Sequence, residues 1–236
     1  MKKYLFLTVV GLFTIACGGD TENTMTVTGK VKGLKKGMLY LQKIPDSVLI
    51  TIDSLEVEDD GSFVFKTELE SPEIFYLYLN KNDNNTINDR ITFFGEPGII
   101  TINTSWNTFD TNLSIEGSET HKKLEEFQKV MSRFNKTNLE RLQLVTNSET
   151  RFDSLLIDSI QKLGDKSVQR EYAYALNFAL NNKNSYIAPY IAMIEVPNAN
   201  IKYLDSIYSV LSQEVADSKY GKELKKHLER IRMLSK

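Results

Sequence analysis

The sequence predicts an α+β protein in which an N-terminal antiparallel, sandwich-like β domain is followed by an α-helical region. Two observations carry this. Apolar residues alternate with period two in short runs as far as Gly117, and beyond Gly117 turn residues thin out and the apolar period becomes helical. A chain of 236 residues is long enough for one large or two ordinary domains, each burying a sizeable core.

Taken in order, the first predicted strand begins at Met25, with Val27 and Val31 set against Thr26 and Thr28. The same alternation recurs in Ile50/Ile52 against Thr51/Asp53, Phe63/Phe65, Phe75/Leu77/Leu79, Ile91/Phe93 and Ile100/Ile102, each turning one apolar face to a core. Asp60-Gly61 supplies the positive φ values of a tight hairpin between Leu55–Val57 and Phe63–Phe65. Gly33 to Gly37 and Glu96-Pro97-Gly98 are further breaks, and Asn80 to Asn88 reads as a polar loop. The helical stripes are Leu124/Phe127/Met131/Phe134, Phe152/Leu155/Leu156/Ser159/Ile160 and Tyr203/Ile207/Val210/Leu211. Ser118 suits the N-cap of the first helix, and Gly164, Pro189 and Pro197 punctuate the later ones. The resulting division is a leader over 1–16, a linker over 17–24, the β-rich domain over 25–117 and the helical region over 118–236.

The leader has its own chemistry. Lys2 and Lys3 form a positive n-region, and the apolar run Tyr4 to Ile15, at ~1.5 Å per residue, is too short to cross a ~30 Å hydrocarbon core. It reads as a signal peptide. Thr14-Ile15-Ala16-Cys17 resembles the bacterial lipobox, which implies that Cys17 is the lipidation site and becomes the first residue of the mature chain. Two or three palmitate-like chains hold a protein firmly, because each buried CH₂ adds ~0.8 kcal/mol. Gly18 stands where enteric lipoproteins retained in the inner membrane carry aspartate, so the resemblance implies an outer-membrane protein on its periplasmic or its surface-exposed face. Asp20 and Glu22 are too few acids to choose between the two faces.

The formal net charge of -2 leaves no basic stripe for a nucleic-acid partner, since the C-terminal lysines alternate with glutamates. One cysteine permits neither an intramolecular disulfide nor a redox pair. His121 and His227 sit in charged helical stretches without metal-ligand spacing and read as solvated helix-face residues. Ser159-Ile160-Gln161-Lys162 matches Ser-x-x-Lys, but the Ser-Asp-Asn and Lys-Thr-Gly partners of an acylating enzyme do not occur. Asp83 to Asp89 fails the ligand order of a Ca²⁺ loop, with Ile87, Asn88 and Phe94 at positions that need a ligand, glycine and glutamate. No catalytic residue, metal ligand or cofactor site follows, and the expectation is a protein without enzymatic activity.

Two binding or modification signals remain. Trp106, with Phe109 nearby, is flanked by amides and carboxylates that suit stacking on a sugar or peptide, or it caps the open end of the sandwich. Five Asp-Ser-apolar triplets, at Ser47, Ser54, Ser154, Ser159 and Ser206, resemble the O-glycosylation acceptor of some exported proteins. Asp-Ser before an apolar residue is equally a turn or helix start.

Val27-Thr28-Gly29-Lys30-Val31, Asp53-Ser54-Leu55-Glu56-Val57 leading into Asp60-Gly61-Ser62-Phe63, and Phe93-Phe94-Gly95-Glu96-Pro97-Gly98 resemble the β-rich domain that precedes thioredoxin-like domains in many bacterial lipoproteins of the thiol-disulfide interchange and peroxiredoxin type. Asn184-Ser185-Tyr186-Ile187-Ala188-Pro189-Tyr190 and Ser218-Lys219-Tyr220-Gly221-Lys222 are similar to the helical linker of the same proteins. The Cys-x-x-Cys pair of that family is absent and the chain ends at Lys236, so its dithiol activity does not carry over. The resemblance implies an accessory, non-enzymatic envelope lipoprotein that binds another envelope component, such as a separate thioredoxin-like partner. The alternative is a glycan- or peptide-binding surface lipoprotein using the aromatics near Trp106.

Overall fold

A computed structural model describes residues 22–58, 60–81, 89–146 and 154–234. Among them are eight strands, β1 (Thr24–Lys32), β2 (Lys36–Lys43), β3 (Ile50–Glu58), β4 (Ser62–Glu68), β5 (Glu73–Asn80), β6 (Arg90–Gly95), β7 (Gly98–Ser105) and β8 (Ser114–Glu116). Six helices follow: α1 (Glu119–Thr146), α2 (Ser154–Asn181), α3 (Ile187–Ile194), α4 (Ile201–Val210), α5 (Gln213–Ala216) and α6 (Lys219–Leu234).

The strands form two four-stranded sheets, β4-β1-β7-β8 and β3-β2-β5-β6. Alternation puts Val27, Phe65, Leu41, Leu77, Phe93 and Ile100 between them, all at most 1 % exposed, so the two sheets share an apolar core. Neighbouring strands are antiparallel with one exception, β1 against β7, which run parallel from Met25/Gly98 to Lys32/Ser105. Alternation within a strand cannot reveal this, because it reports a face and not a neighbour.

Gly61 has the predicted positive φ, 80°, but the Asp60-Gly61 turn is not the predicted hairpin, since it joins strands of different sheets. β3 pairs with β2 and β4 pairs with β1. The turn lies at a corner of the sandwich, where Val31 donates its N–H to Gly61 O at 2.8 Å. A Cβ at Gly61 would stand 2.2 Å from Val31 O, so glycine is required for close approach as well as for φ.

A second core lies on the outer face of the β3-β2-β5-β6 sheet. Ile74 and Phe94 point away from the sandwich and join Leu124, Phe127, Ile191, Leu204, Leu224 and other helical residues in one buried cluster. Gly164 is interior to α2 rather than a break, and Pro189 is the third residue of α3, where the missing N–H would have had no intrahelical partner. Pro197 does separate α3 from α4. The buried stripe of α4 is Leu204 and Ile207, whereas Tyr203 and Val210 are exposed. Of the predicted polar loop, Asn80 closes β5 and 82–88 lie outside the described residues.

Candidate functional site

Two clips fasten the helices to the sheet. At the first, Ser118 caps α1 by accepting the His121 N–H at 2.9 Å, and Glu96 accepts from the Thr120 hydroxyl at 2.6 Å and the Thr120 N–H at 3.3 Å. His121 then reaches the edge of β6, where its Nδ1 accepts the Phe94 N–H at 3.3 Å. This histidine is buried, 4 % exposed, and not the solvated residue expected from its charged sequence neighbours. Burial lowers its pKa from 6.5 to about 4, against the opposing charge of Glu96. The ring is therefore neutral, with its proton on Nε2, which stands 3.6 Å from the exposed Glu125 carboxylate. His227 is also engaged. Its Nε2 lies 2.8 Å from Pro197 O and its Nδ1 2.9 Å from the Arg230 guanidinium, tying α6 to the α3–α4 connection.

At the second clip, buried Glu73 opens β5 between two ammonium groups, Lys43 at 3.0 Å and Lys219, the first residue of α6. Tyr220, next along α6, accepts the Ile74 N–H at 3.2 Å and packs its ring against Phe94 and Tyr190 at centroid separations of 6.0 and 5.1 Å. Residues 146 apart in the chain thus share one charge network, which sequence spacing does not announce. Lys219, Tyr220 and Tyr190 do lie in the two segments that resemble a helical linker, so the signal was present without its meaning.

The helices also leave an open surface. A groove of 660 Å³ runs between α2 and α4, lined by Val168, Tyr172, Leu176, Leu180 and Tyr203 among others. A second furrow of 440 Å³ runs between α1 and α2 past Arg141, Leu142, Ile157, Ile160 and Gly164. The two adjoin at Val168, which lines both, and together they flank α2 from Ile157 to Leu180, about 35 Å at ~1.5 Å per residue. Leu142, Val168 and Tyr203, which line them, are all more than half exposed, as are Leu139 and Leu163 on the same helices α1 and α2. Gly164 meets no atom where a Cβ would stand, so the fold itself gives no packing reason for a glycine that costs a helix about 1 kcal/mol relative to alanine.

The residues singled out in the sequence are scattered. Trp106 is 48 % exposed with its pyrrole edge over Gly33, while Phe109 is 1 % exposed inside the sandwich core, so the two do not share an accessible surface. Burial of Phe109 corrects its reading as a ligand contact. Ser47 is exposed with φ 71°, and Ser54, Ser159 and Ser206 are exposed on β3, α2 and α4. Lys162 of the Ser-x-x-Lys match pairs with Asp158 at 2.8 Å. Cys17, the side chain of Ser154 and 83–88 of the rejected Ca²⁺ loop lie outside the described residues.

Residues 25–124 match the family described as a domain of unknown function, DUF4369, and the chain contains that domain. The match runs six residues into α1, which brings Ser118, Thr120 and His121 inside it. The clip between α1 and β6 is therefore part of the domain and not of the helical region beyond. No curated protein and no solved structure matches the chain.

Proposed function

We propose that this protein is a non-catalytic accessory lipoprotein of the bacterial envelope, anchored through Cys17, whose helical half binds another envelope protein. The observation that supports this best is the pair of adjoining grooves along α2 with exposed Leu142, Val168 and Tyr203. Apolar patches of this extent on a rigid frame mark protein contacts. The glycine at position 164 fits the same reading, because a small residue on an open helix face admits the backbone of a partner element. A thioredoxin-like protein supplied as a separate chain is the proposed partner, since the helical segments resemble those that lead into such a domain.

The glycan- or peptide-binding alternative is left with Trp106 alone on the surface. A photo-crosslinking residue placed at Leu142 or Tyr203 in the tethered protein should capture one reproducible envelope partner. The same residue at Val64, exposed on β4, should capture none. Equal capture from all three positions, or from none, refutes the reading.

A further inference from the structure

Beneath the connection between β2 and β3 lies a cleft of 530 Å³, within the range of small-molecule sites. It is independent of the α2 groove. Its walls come from both halves of the molecule, with Tyr76 on β5, Tyr190 on α3 and Tyr220 and Glu223 on α6, and its rim is Ile44 to Ser47. Ser47 holds a left-handed φ of 71°, a conformation that is unfavourable for a non-glycine residue and collects at functional sites.

The charges around the cleft are unequal. Lys219 is the cation that lines it, and its ammonium is already committed to Glu73 and, at 2.9 Å, to the rim carbonyl of Ile44. Two carboxylates line it as well, Asp46 and Glu223. Burial raises Glu223 above the usual carboxylate range, with Lys219 and Lys226 opposing and Glu73 and Asp46 reinforcing the shift.

A ligand suited to these walls brings a positive charge on an apolar body. Tyrosine faces attract cations, and in this cluster Lys219 already stands 5.6 Å from the Tyr220 centroid and Arg90 5.7 Å from that of Tyr76. We infer that the cleft binds an organic ammonium ion carried on an apolar body, its charge between Asp46 and Glu223 and its body against Tyr76, Tyr190 and Tyr220. A neutral or anionic molecule of the same shape gains no attraction from the two carboxylates.

Isothermal titration of the full chain in neutral-detergent micelles with 2-phenylethylamine, 2-phenylethanol and 3-phenylpropionate tests this. The amine should bind at least about tenfold more tightly than the alcohol, and the propionate most weakly. Glu223→Gln and Asp46→Asn should each weaken the amine by about tenfold without lowering the thermal midpoint, whereas Glu140→Gln, on exposed α1 surface, should not. Asp46 is exposed, so its variant carries the test if Glu223→Gln disturbs folding. Absence of amine binding, equal affinity for amine and alcohol, or unchanged amine affinity in both variants overturns the assignment.

Discussion

His121 makes the stability of the junction depend on pH. The imidazole has an ordinary pKa of 6.5 and is held at about 4 in the folded protein, chiefly because burial disfavours its charged form. As pH falls below 6.5 the unfolded chain takes up the proton first, so this contribution is complete above that pH and is lost on the way down to 4. Each unit of pKa difference corresponds to about 1.4 kcal/mol, and the loss between about pH 8 and about pH 5 comes to about 2 kcal/mol. Protonation also puts a hydrogen on the nitrogen that accepts the Phe94 N–H, so the same event opens the clip on β6. His121→Asn keeps an acceptor near that N–H and does not titrate. Urea unfolding at the two pH values should show the wild type losing about 2 kcal/mol more than the variant, which cancels the carboxylates common to both. Losses equal within about 0.5 kcal/mol, or an NMR titration placing His121 at its ordinary value, would refute the reasoning.

Phe94→Ala empties a fully buried position between sheet and helices and should cost about 3–5 kcal/mol, read as a lower denaturant midpoint. Gly164→Ala should stabilise the isolated protein by about 1 kcal/mol, because the new methyl meets open space, and should reduce partner capture at Leu142 and Tyr203. A variant that is stabilised yet captures its partner unchanged would show that the glycine is not there for a partner. Cys17→Ser removes the thiol of the proposed anchor, so labelling with a fatty-acid analogue should be lost while the unfolding transition of the domains stays the same. Label retained in the variant, or absent from the wild type, would exclude the lipid anchor.

By itself the sequence determined the fold class, the change from strand to helix near Gly117 and the local chemistry at chain reversals. Period two at Phe75, Leu77 and Leu79, a glycine with positive φ after Asp60 and a serine before α1 are properties of a few consecutive residues, and the physics that sets them is local. Only the tertiary structure decided what each face meets. Alternation could not show that β1 lies parallel to β7, or that Gly61 turns a corner between two sheets. His121 sits among lysines and glutamates in the chain, yet the approach of α1 to β6 removes it from water and makes it a backbone acceptor. Glu73 and Lys219 become partners across 146 positions because α6 docks on the end of β5, and the same docking brings Tyr190, Tyr220 and Glu223 together around the cleft. Burial and long-range charge pairing are properties of the assembled layers, so no window along the chain contains them.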